Sequence, residues 1–318
     1  MENPNNQSIA ICEKTAFHVT NGKSSLYLHN KYSVGRVDKK TLILKPYEAI
    51  YLYLRKRIKP LNGMLNDELS IFSALIQESD IHKLRAYLEL KEEGTKIAIE
   101  PDFFNVVRKN EKQSVRRIVV PVRENGRITF QWLSEMVGSN VASVDDDGDI
   151  TYYAIHSANL TGKNSIDVTQ NIEENGELIP IGARGLGKKG KVPAWMGDVL
   201  DQITFLSEQE LSILTKTERK DVVTRIYRDL VNRGMIVKTG FKYGCTFRAY
   251  EESLEDHSEY LIHIADDIME WYEISRAVRL AAAVRKRMIF AATINEEPVY
   301  VEIKRIKNIE EFNSSNHI

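Results

Sequence analysis

The sequence predicts a mixed α/β fold of the α+β type, built as two tandem related units. Each unit would contain a small subdomain of helices and strands, followed by a mixed-sheet subdomain flanked by helices. At 318 residues, the chain is long enough for two domains of about 150 residues. Segments with the 3.6-residue period of helices alternate with short β-type runs, and one helix–glycine–strand pattern occurs twice.

The composition is that of an ordinary globular protein and limits the possible functions. Hydrophobic residues make up 42% and charged residues 28%, and the formal net charge is −1, so any nucleic-acid-binding surface must be local. The two cysteines, Cys12 and Cys245, lie outside any CxxC or Cys/His cluster. We therefore expect no disulfide framework, no metal and no cofactor, and a cytoplasmic location. No apolar run approaches the ~20 residues that a membrane span requires.

The first half contains both helix and strand signals. The segments SLYLHNKYSVGRV and TLILKP are predicted to form strands, with turns at Gly35 and after Asp38. Pro46 opens a predicted helix, PYEAIYLYLRKRIKPL, because proline suits the first helical position. NDELSIFSALIQ and IHKLRAYLELKEEG are predicted to form two more helices, the second ending at Gly94. Strands are then predicted for TKIAIEPDFFNVV, RRIVVPV and ITFQWL.

The middle of the chain is predicted to be a hairpin followed by a linker. SVDDDGDITYYAI places the turn dipeptide Asp147-Gly148 between two β-type runs. The turn-rich linker over 166–193 contains GARGLGKK, which lacks the hydroxyl residue of a phosphate-binding loop, and we interpret it as flexible and basic.

The second half is again predicted to mix helices and strands. Helices are predicted for PAWMGDVLDQITF, SEQELSIL, DVVTRIYRDLVNRG and ISRAVRLAAAVRKR. Ser207 and Glu210 have the spacing of a capping box at the start of the second of these helices. MIVKTGFKYGCTFRAY is predicted to form a strand, a glycine turn and a second strand, and further strands are predicted for HSEYLIHIAD, MIFAAT and VYVEIKRI.

An internal repeat is indicated by the pattern YxxLxxxGxx followed by an aliphatic residue, which begins at Tyr87 and again at Tyr227. The repeat predicts a first domain over 1–165 and a second over 194–318. Only the second carries Tyr250, His257 and Lys286. Val107 or a neighbour stands where Tyr250 would be, and the place of Lys286 falls near Gly138. We therefore expect the first domain to lack the chemistry of the second.

These three residues suit metal-free cleavage of RNA, in which the 2′-hydroxyl attacks the adjacent phosphate. Histidine can act as the general acid near neutral pH, and lysine can stabilise the charge of the transition state. Tyrosine, with an ordinary pKa of about 10, is a weak base unless neighbouring cations lower that pKa. Tyr250 ends one predicted strand and His257 begins the next, which places both at one end of a sheet. Each also has a structural interpretation, since tyrosines at strand ends and exposed histidines or lysines commonly have no catalytic role.

A local basic surface is predicted near the C-terminus. Between positions 276 and 307 the chain carries eight Lys and Arg against three Glu. In a continuous helix, Arg276, Arg279, Ala283 and Lys286 would share one face. Such a surface would attract the RNA backbone to an otherwise neutral protein.

The runs DLVNRGMIVKTGFKYGCTFRAYE, HSEYLIHI and SRAVRLAAAVRK resemble the nuclease domain of the archaeal tRNA-splicing endonuclease (tRNA-intron endonuclease) family. The resemblance implies a tRNA-endonuclease-like subdomain at about 225–310, with Tyr250 as general base, His257 as general acid and Lys286 as transition-state stabiliser. The substrate implied is precursor tRNA with an intron in a bulge-helix-bulge. The expected products are 2′,3′-cyclic phosphate and 5′-hydroxyl ends.

The resemblance also implies further contacts. Arg279 matches an arginine that holds a flipped bulge base, Arg276 lies beside it on the helix, and Lys304 or Arg305 is a candidate for the second base-clamping cation. The first half resembles the pseudo-catalytic unit of the homodimeric branch of the family. Its acidic hairpin would form a dimer contact through four carboxylates, Asp145, Asp146, Asp147 and Asp149.

Two alternatives remain open at the level of sequence. The Glu302-Ile303-Lys304 run, with Asp266 and Asp267 upstream, could serve a metal-dependent nuclease. A non-catalytic RNA-binding or scaffold paralogue would lose a triad residue, whereas Tyr250, His257 and Lys286 are all present.

Overall fold

A computed structural model describes residues 8–13, 16–60, 76–77, 80–108, 116–164, 177–254, 258–307 and 309. The described residues form seven α-helices and 21 strands, which confirms the mixed α/β class. Each helix among the described residues is too short or too polar to be a transmembrane span. The predicted helix NDELSIFSALIQ lies almost entirely outside the described residues.

The chain divides into two compact units. The first comprises Met1–Glu124, Ser139–Tyr152 and Ile306–Ile318, and the second comprises Asn125–Gly138 and Tyr153–Arg305. The domain boundaries predicted from the sequence separate two consecutive repeats, which is a different kind of division from these compact units. Those boundaries stay a prediction.

The first unit begins with a small five-stranded sheet and two helices. The strand order is β3-β4-β2-β1-β5. The elements are β1 (Ser8–Glu13), β2 (Ala16–Val19), α1 (Gly22–Tyr32), β3 (Arg36–Asp38), β4 (Thr41–Leu44), α2 (Pro46–Leu54) and β5 (Ile58–Pro60).

The strand prediction for the segment SLYLHNKY was wrong, because this segment belongs to α1. The side chain of Asn21 accepts a hydrogen bond from the backbone N–H of Ser24 and caps the helix. Leu28 is buried, whereas Leu26 and Tyr27 are exposed. The apolar residues are thus too few to show a helical period, and Asn21 is the local signal that marks the start of the helix.

The rest of the first unit is a helix followed by strands in the order β10-β8-β7-β6. Strands β8 and β10 are parallel, and β6-β7-β8 are antiparallel. The elements are α3 (Ile81–Glu92), β6 (Thr95–Ile99), β7 (Phe104–Arg108), β8 (Arg117–Arg123), β10 (Asn140–Val144) and the first residues of β11 (Ile150–Ser157).

The second unit contains a small four-stranded sheet where the sequence predicted other structure. The elements are β12 (Leu178–Ile181), β13 (Arg184–Lys188), β14 (Asp198–Leu200), β15 (Ile203–Leu206) and α5 (Glu208–Leu214). The strand order is β12-β13-β15-β14. The GARGLGKK run is therefore not a flexible loop, because it lies in the β12–β13 hairpin.

The helix predicted for PAWMGDVLDQITF was also wrong, since this segment forms the β14–β15 hairpin. Gly197 enters the hairpin with φ +66°, and a Cβ there would lie 2.3 Å from Cγ2 of Thr204. The turn places Asp201 at φ 54°. Both conformations are incompatible with a continuous helix.

The larger sheet of the second unit has strand order β16-β17-β18-β20-β21. Its elements are α6 (Val222–Asn232), β16 (Ile236–Thr239), β17 (Phe247–Tyr250), β18 (Tyr260–Ile264), β19 (Ile268–Glu270), α7 (Trp271–Ala283), β20 (Arg287–Ile294) and β21 (Glu297–Ile306). Helix α6 packs against β16 and β20, and α7 packs against β20. The segment ITFQWL, predicted as a strand, supplies the end of β9 (Arg127–Thr129) and then α4 (Phe130–Glu135).

A buried glutamate at the start of a helix anchors the small subdomain in each unit. In the first unit, Oε1 of Glu48 accepts a hydrogen bond from the N–H of Gly35, at 2.7 Å. In the second, Oε1 of Glu210 accepts one from the N–H of Gly197, also at 2.7 Å and across the same 13-residue separation. In both cases, Oε2 accepts from the backbone N–H of the residue that caps the same helix. The two anchors are alike although the strands around them differ.

We expect Glu210→Ala to lower the free energy of unfolding by about 2–4 kcal/mol, because it leaves buried donors unpaired. Glu210 is 4% exposed, and its Oε1 also accepts from Nζ of Lys238 at 3.2 Å. Urea unfolding followed by circular dichroism measures the change. Glu208→Ala is the matched control, because its ion pair with Arg219 is partly exposed and should contribute less than about 1 kcal/mol. Equal losses for both variants would contradict the anchoring role of Glu210.

Candidate functional site

Three strand ends meet at one edge of the larger sheet in the second unit. Strands β17 and β18 are antiparallel, with Ala249 opposite Tyr260. Strands β18 and β20 are parallel, with Tyr260 opposite Arg287. The last residues of β17 and the first residues of β18 and β20 therefore lie side by side. This brings Tyr250, which ends β17, to the same edge as Lys286, which directly precedes β20.

Lys286 is not a helical residue, so the predicted helix face shared by Arg276, Arg279 and Lys286 was wrong. Helix α7 ends at Ala283, and Arg285 takes the left-handed conformation at φ 56°. The N–H of Arg285 donates to the carbonyl of Ala282, at 3.1 Å, and that of Lys286 donates to the carbonyl of Ala281, at 2.9 Å. This is a Schellman ending, which turns the chain out of the helix and into β20.

The ammonium group of Lys286 is held at the start of β18. Its Nζ donates a hydrogen bond of 2.6 Å to the carbonyl oxygen of Ser258 and lies 5.7 Å from the ring centroid of Tyr243. Tyr243 belongs to the 3₁₀ turn Phe241–Tyr243, which ends at Gly244 with φ 64°. His257, the residue before Ser258 in the sequence, lies outside the described residues.

Tyr250 is a buried residue at the end of its strand. It is 5% exposed, and Cζ of Arg248 lies 5.8 Å from the centroid of its ring. Nε of Arg248 is buried and has no hydrogen-bond partner among the described residues. A cation therefore lies next to the ring, and no sequence motif singles out Arg248.

The predicted RNA-binding cations lie on two elements, α7 and β21. Arg276 and Arg279 are exposed on α7, and Nη2 of Arg279 donates to Oγ of Ser275, at 3.3 Å. Lys304 and Arg305 are exposed on β21. They follow Ile303, the register partner of Met288, so they lie near the end of β20 that Lys286 precedes.

Glu302, considered above as a metal ligand, is engaged by a guanidinium group. Nε of Arg287 donates to its Oε1, at 2.9 Å, and Nη2 donates to its Oε2. Among the described residues, no group of three or more His, Cys, Asp or Glu side chains could hold a metal ion.

Burial alters the acid–base properties of several groups around the site. Burial, together with the hydrogen bond to Glu251, raises the pKa of Tyr260 to about 12. Burial likewise raises the pKa of the Cys245 thiol to about 11. At neutral pH both groups are protonated, so Tyr260 is a hydrogen-bond donor and Cys245 is a poor nucleophile.

The positions that the predicted repeat aligns with Tyr250 and Lys286 carry different residues. Val107 pairs with Lys96 in the β6–β7 ladder, as Tyr250 pairs with Ile236 in the β16–β17 ladder. Between α4 and β10, the positive-φ residue is Gly138, and Ser139 follows it directly before the strand. Neither Val107 nor Ser139 can supply the phenol or the ammonium group.

The acidic hairpin is an exposed five-residue turn rather than the two-residue turn that the sequence indicated. The N–H of Asp145 donates to the carbonyl of Asp149, at 3.1 Å, and Oδ1 of Asp145 accepts from the N–H of Asp149, at 2.8 Å. Asp146 and Asp147 are exposed at its tip. Asp145 closes the turn, and its neighbours project carboxylates into solvent.

Comparison with known proteins gives consistent matches. Residues 222–301 match the family model described as "tRNA intron endonuclease, catalytic C-terminal domain". A tRNA-splicing endonuclease of Thermoplasma volcanium is 33% identical over 95% of this chain and 99% of its own length. One from Picrophilus torridus is 32% identical over 92% and 95%. One from Thermococcus onnurineus is 34% identical over 140 residues, which are 42% of this chain and 79% of that one.

The matched catalytic domain and these full-length relatives define an RNA-cleaving enzyme, an endoribonuclease. The chain belongs to the tRNA-splicing endonuclease family.

We expect the free energy of unfolding of Arg285→Gly to lie within about 0.5 kcal/mol of the wild-type value. The glycine relieves the strain of the left-handed conformation, and this offsets the greater flexibility of its backbone. The free energy of unfolding of Arg285→Val should be lower by about 1–2 kcal/mol, because a β-branched residue is strained at positive φ. The rate of RNA cleavage by this variant should also fall, because the strain displaces Lys286. Thermal unfolding and RNA cleavage of the two variants check this. If the valine variant is as stable and active as the glycine variant, the Schellman ending does not position Lys286.

Proposed function

We propose that this endoribonuclease cleaves precursor tRNA at the bulge-helix-bulge boundaries of its intron, without a metal ion. Tyr250 accepts the proton of the attacking 2′-hydroxyl. The new bond from the 2′-oxygen to phosphorus displaces the 5′-oxygen, which receives a proton from His257. The products are a 2′,3′-cyclic phosphate and a 5′-hydroxyl end, and Lys286 stabilises the charge of the transition state.

The observation that carries this proposal is the meeting of Tyr250 and Lys286 at one sheet edge, inside the region that matches the catalytic domain. Lys286 contacts the carbonyl of Ser258, the residue directly after His257 in the sequence. The names of the relatives support the substrate, because each is called a tRNA-splicing endonuclease. The exposed Arg276, Arg279, Lys304 and Arg305 supply cations for the RNA backbone and for the bulge bases.

We also propose that the chain is a duplicated enzyme that works as a homodimer. The Thermococcus relative supports the duplication, since 79% of its length matches only 42% of this chain. The repeated glutamate anchors and the register positions of Val107 and Tyr250 support it independently. The exposed carboxylates of Asp146, Asp147 and Asp149, on a turn closed by the partly buried Asp145, suit a contact with a basic surface of the second copy.

For His257→Ala we expect retained RNA binding and cleavage reduced by about 10²–10⁴-fold, the usual loss for a general acid. The assay uses precursor tRNA with a bulge-helix-bulge intron, in excess chelator, and detects the 2′,3′-cyclic phosphate end. His18→Ala, a histidine of the first unit outside the proposed site, is the control and should cleave normally. Absence of the cyclic end with the wild type would overturn the proposed reaction, and undiminished cleavage by His257→Ala would overturn the role of His257.

The dimer contact predicts that the pair of substitutions Asp146→Asn and Asp147→Asn weakens self-association by at least about tenfold, because two charge pairs are lost. Asp145 is left unchanged because it closes the turn. Sedimentation velocity over a concentration series measures the dissociation constant. The matched control is Asp198→Asn with Asp201→Asn, two exposed carboxylates of the β14–β15 hairpin. Equal dissociation constants for the two double variants would rule out the acidic turn as the contact.

A further inference from the structure

One buried hydroxyl joins the residues that directly follow two of the proposed catalytic residues. The hydroxyl of Tyr260 donates a hydrogen bond of 2.5 Å to Oε1 of Glu251, which follows Tyr250. The same hydroxyl accepts a hydrogen bond of 3.1 Å from Nη1 of Arg287, which follows Lys286. Tyr260 thus bridges the end of β17 and the start of β20 from its own place on β18.

The arginine in this bridge is itself fixed on two sides. Its guanidinium group forms a two-pronged ion pair with Glu302 on β21 and lies 5.0 Å from the ring centroid of Tyr260. Glu302 is 8% exposed and Tyr260 is 4% exposed, although the Arg287 side chain is half exposed. A planar guanidinium held in this way has little freedom to reorient.

Glu259, which directly precedes β18, links the same two strand ends. Oε2 of Glu259 accepts from the N–H of Glu251, at 3.3 Å, and the carbonyl of Glu259 accepts from the N–H of Arg287, at 2.9 Å. The neighbouring carbonyl, that of Ser258, holds the ammonium of Lys286. Glu259 and Tyr260 therefore each contact both strand ends, and Ser258 contacts the residue that precedes β20.

The side chains of Tyr260 and Arg287 lie on the face of the sheet opposite to that of the Tyr250 side chain. Ala249 is opposite Tyr260, and Tyr260 is opposite Arg287, so the three share one face. Tyr250 follows Ala249, and successive side chains of a strand point to opposite faces. The bridge therefore acts on Tyr250 and Lys286 through their backbones.

We propose that Glu251, Tyr260, Arg287 and Glu302 form a positioning network that holds Tyr250 and Lys286 in register for cleavage of the RNA. The proposal rests on the function proposed above. Displacing reacting groups by about 1 Å can cost about 100-fold in rate, so a bridge between two strand ends affects the chemical step more than RNA binding.

The test compares two tyrosine-to-phenylalanine variants under single-turnover conditions, with the dissociation constant for RNA measured separately. Tyr260→Phe removes the bridging hydroxyl and keeps the ring. We expect its cleavage rate to fall about 10–100-fold while the dissociation constant stays within about twofold. Glu251→Gln keeps an acceptor for the hydroxyl and should retain most of the rate, whereas Glu251→Ala should resemble Tyr260→Phe.

Tyr300 offers a matched control in the same unit. Its hydroxyl donates to Oδ2 of Asp229, at 2.7 Å, and Arg233 lies over its ring at 5.3 Å and pairs with Asp229. Tyr300→Phe thus breaks the same kind of Tyr–carboxylate–Arg contact away from the strand ends. We expect a similar loss of thermal stability and an unchanged cleavage rate.

The outcomes separate the two proposals. If the wild type leaves no cyclic phosphate end, the proposed function fails. If the wild type cleaves, and Tyr260→Phe cleaves as fast as Tyr300→Phe, the positioning network is overturned. It is also overturned if Tyr260→Phe loses RNA affinity rather than rate. If Tyr260→Phe fails to fold, Glu251→Ala takes its place and is compared with Tyr300→Phe. The cleavage rate and the dissociation constant for RNA are again the two measurements that decide.

Discussion

The parallel pairing of β18 with β20 is the constraint on which the site depends. Parallel neighbours cannot be joined by a tight turn, so the chain crosses over through β19 and α7 before it enters β20. The crossover returns Lys286 to the end of the sheet where β18 begins. The antiparallel β17 reaches this end from the other direction and delivers Tyr250. Strand order and direction thus bring residues separated by 36 positions in sequence to the same end of the sheet, with β18 between their strands.

Much of the site could be predicted from sequence because its chemistry is carried by residue type and order. The helix–glycine–strand pattern, the ends of β17 and β18, and the closing β20–β21 hairpin all follow from local signals. The placement of Lys286 on the helix was wrong because an apolar period continues through Val284 and hides the end of the helix. A left-handed arginine in place of the usual glycine gives no sequence signal for such an ending.

The remaining errors have a similar origin. In α1, a single capping asparagine outweighs a segment with little helical period. In the β14–β15 hairpin, tertiary packing around Gly197 outweighs residues that suit a helix. The Tyr260 bridge could not be found from sequence, because its members lie on four different strands or strand ends. Only strand register brings Glu251, Arg287 and Glu302 around one hydroxyl.

The contact between Lys286 and the carbonyl of Ser258 has a consequence for substrate entry. A lysine already bound to a backbone oxygen has given up part of its hydration and much of its rotational freedom before RNA arrives. In the proposed reaction, a phosphoryl oxygen of the RNA would compete with this neutral carbonyl for a preorganised donor, so that binding would be an exchange of partners. Because the phosphoryl group gains negative charge as the reaction proceeds, the exchange becomes more favourable along the reaction coordinate. In the free enzyme, the ammonium group of Lys286 is thus bound to a backbone carbonyl of the protein itself.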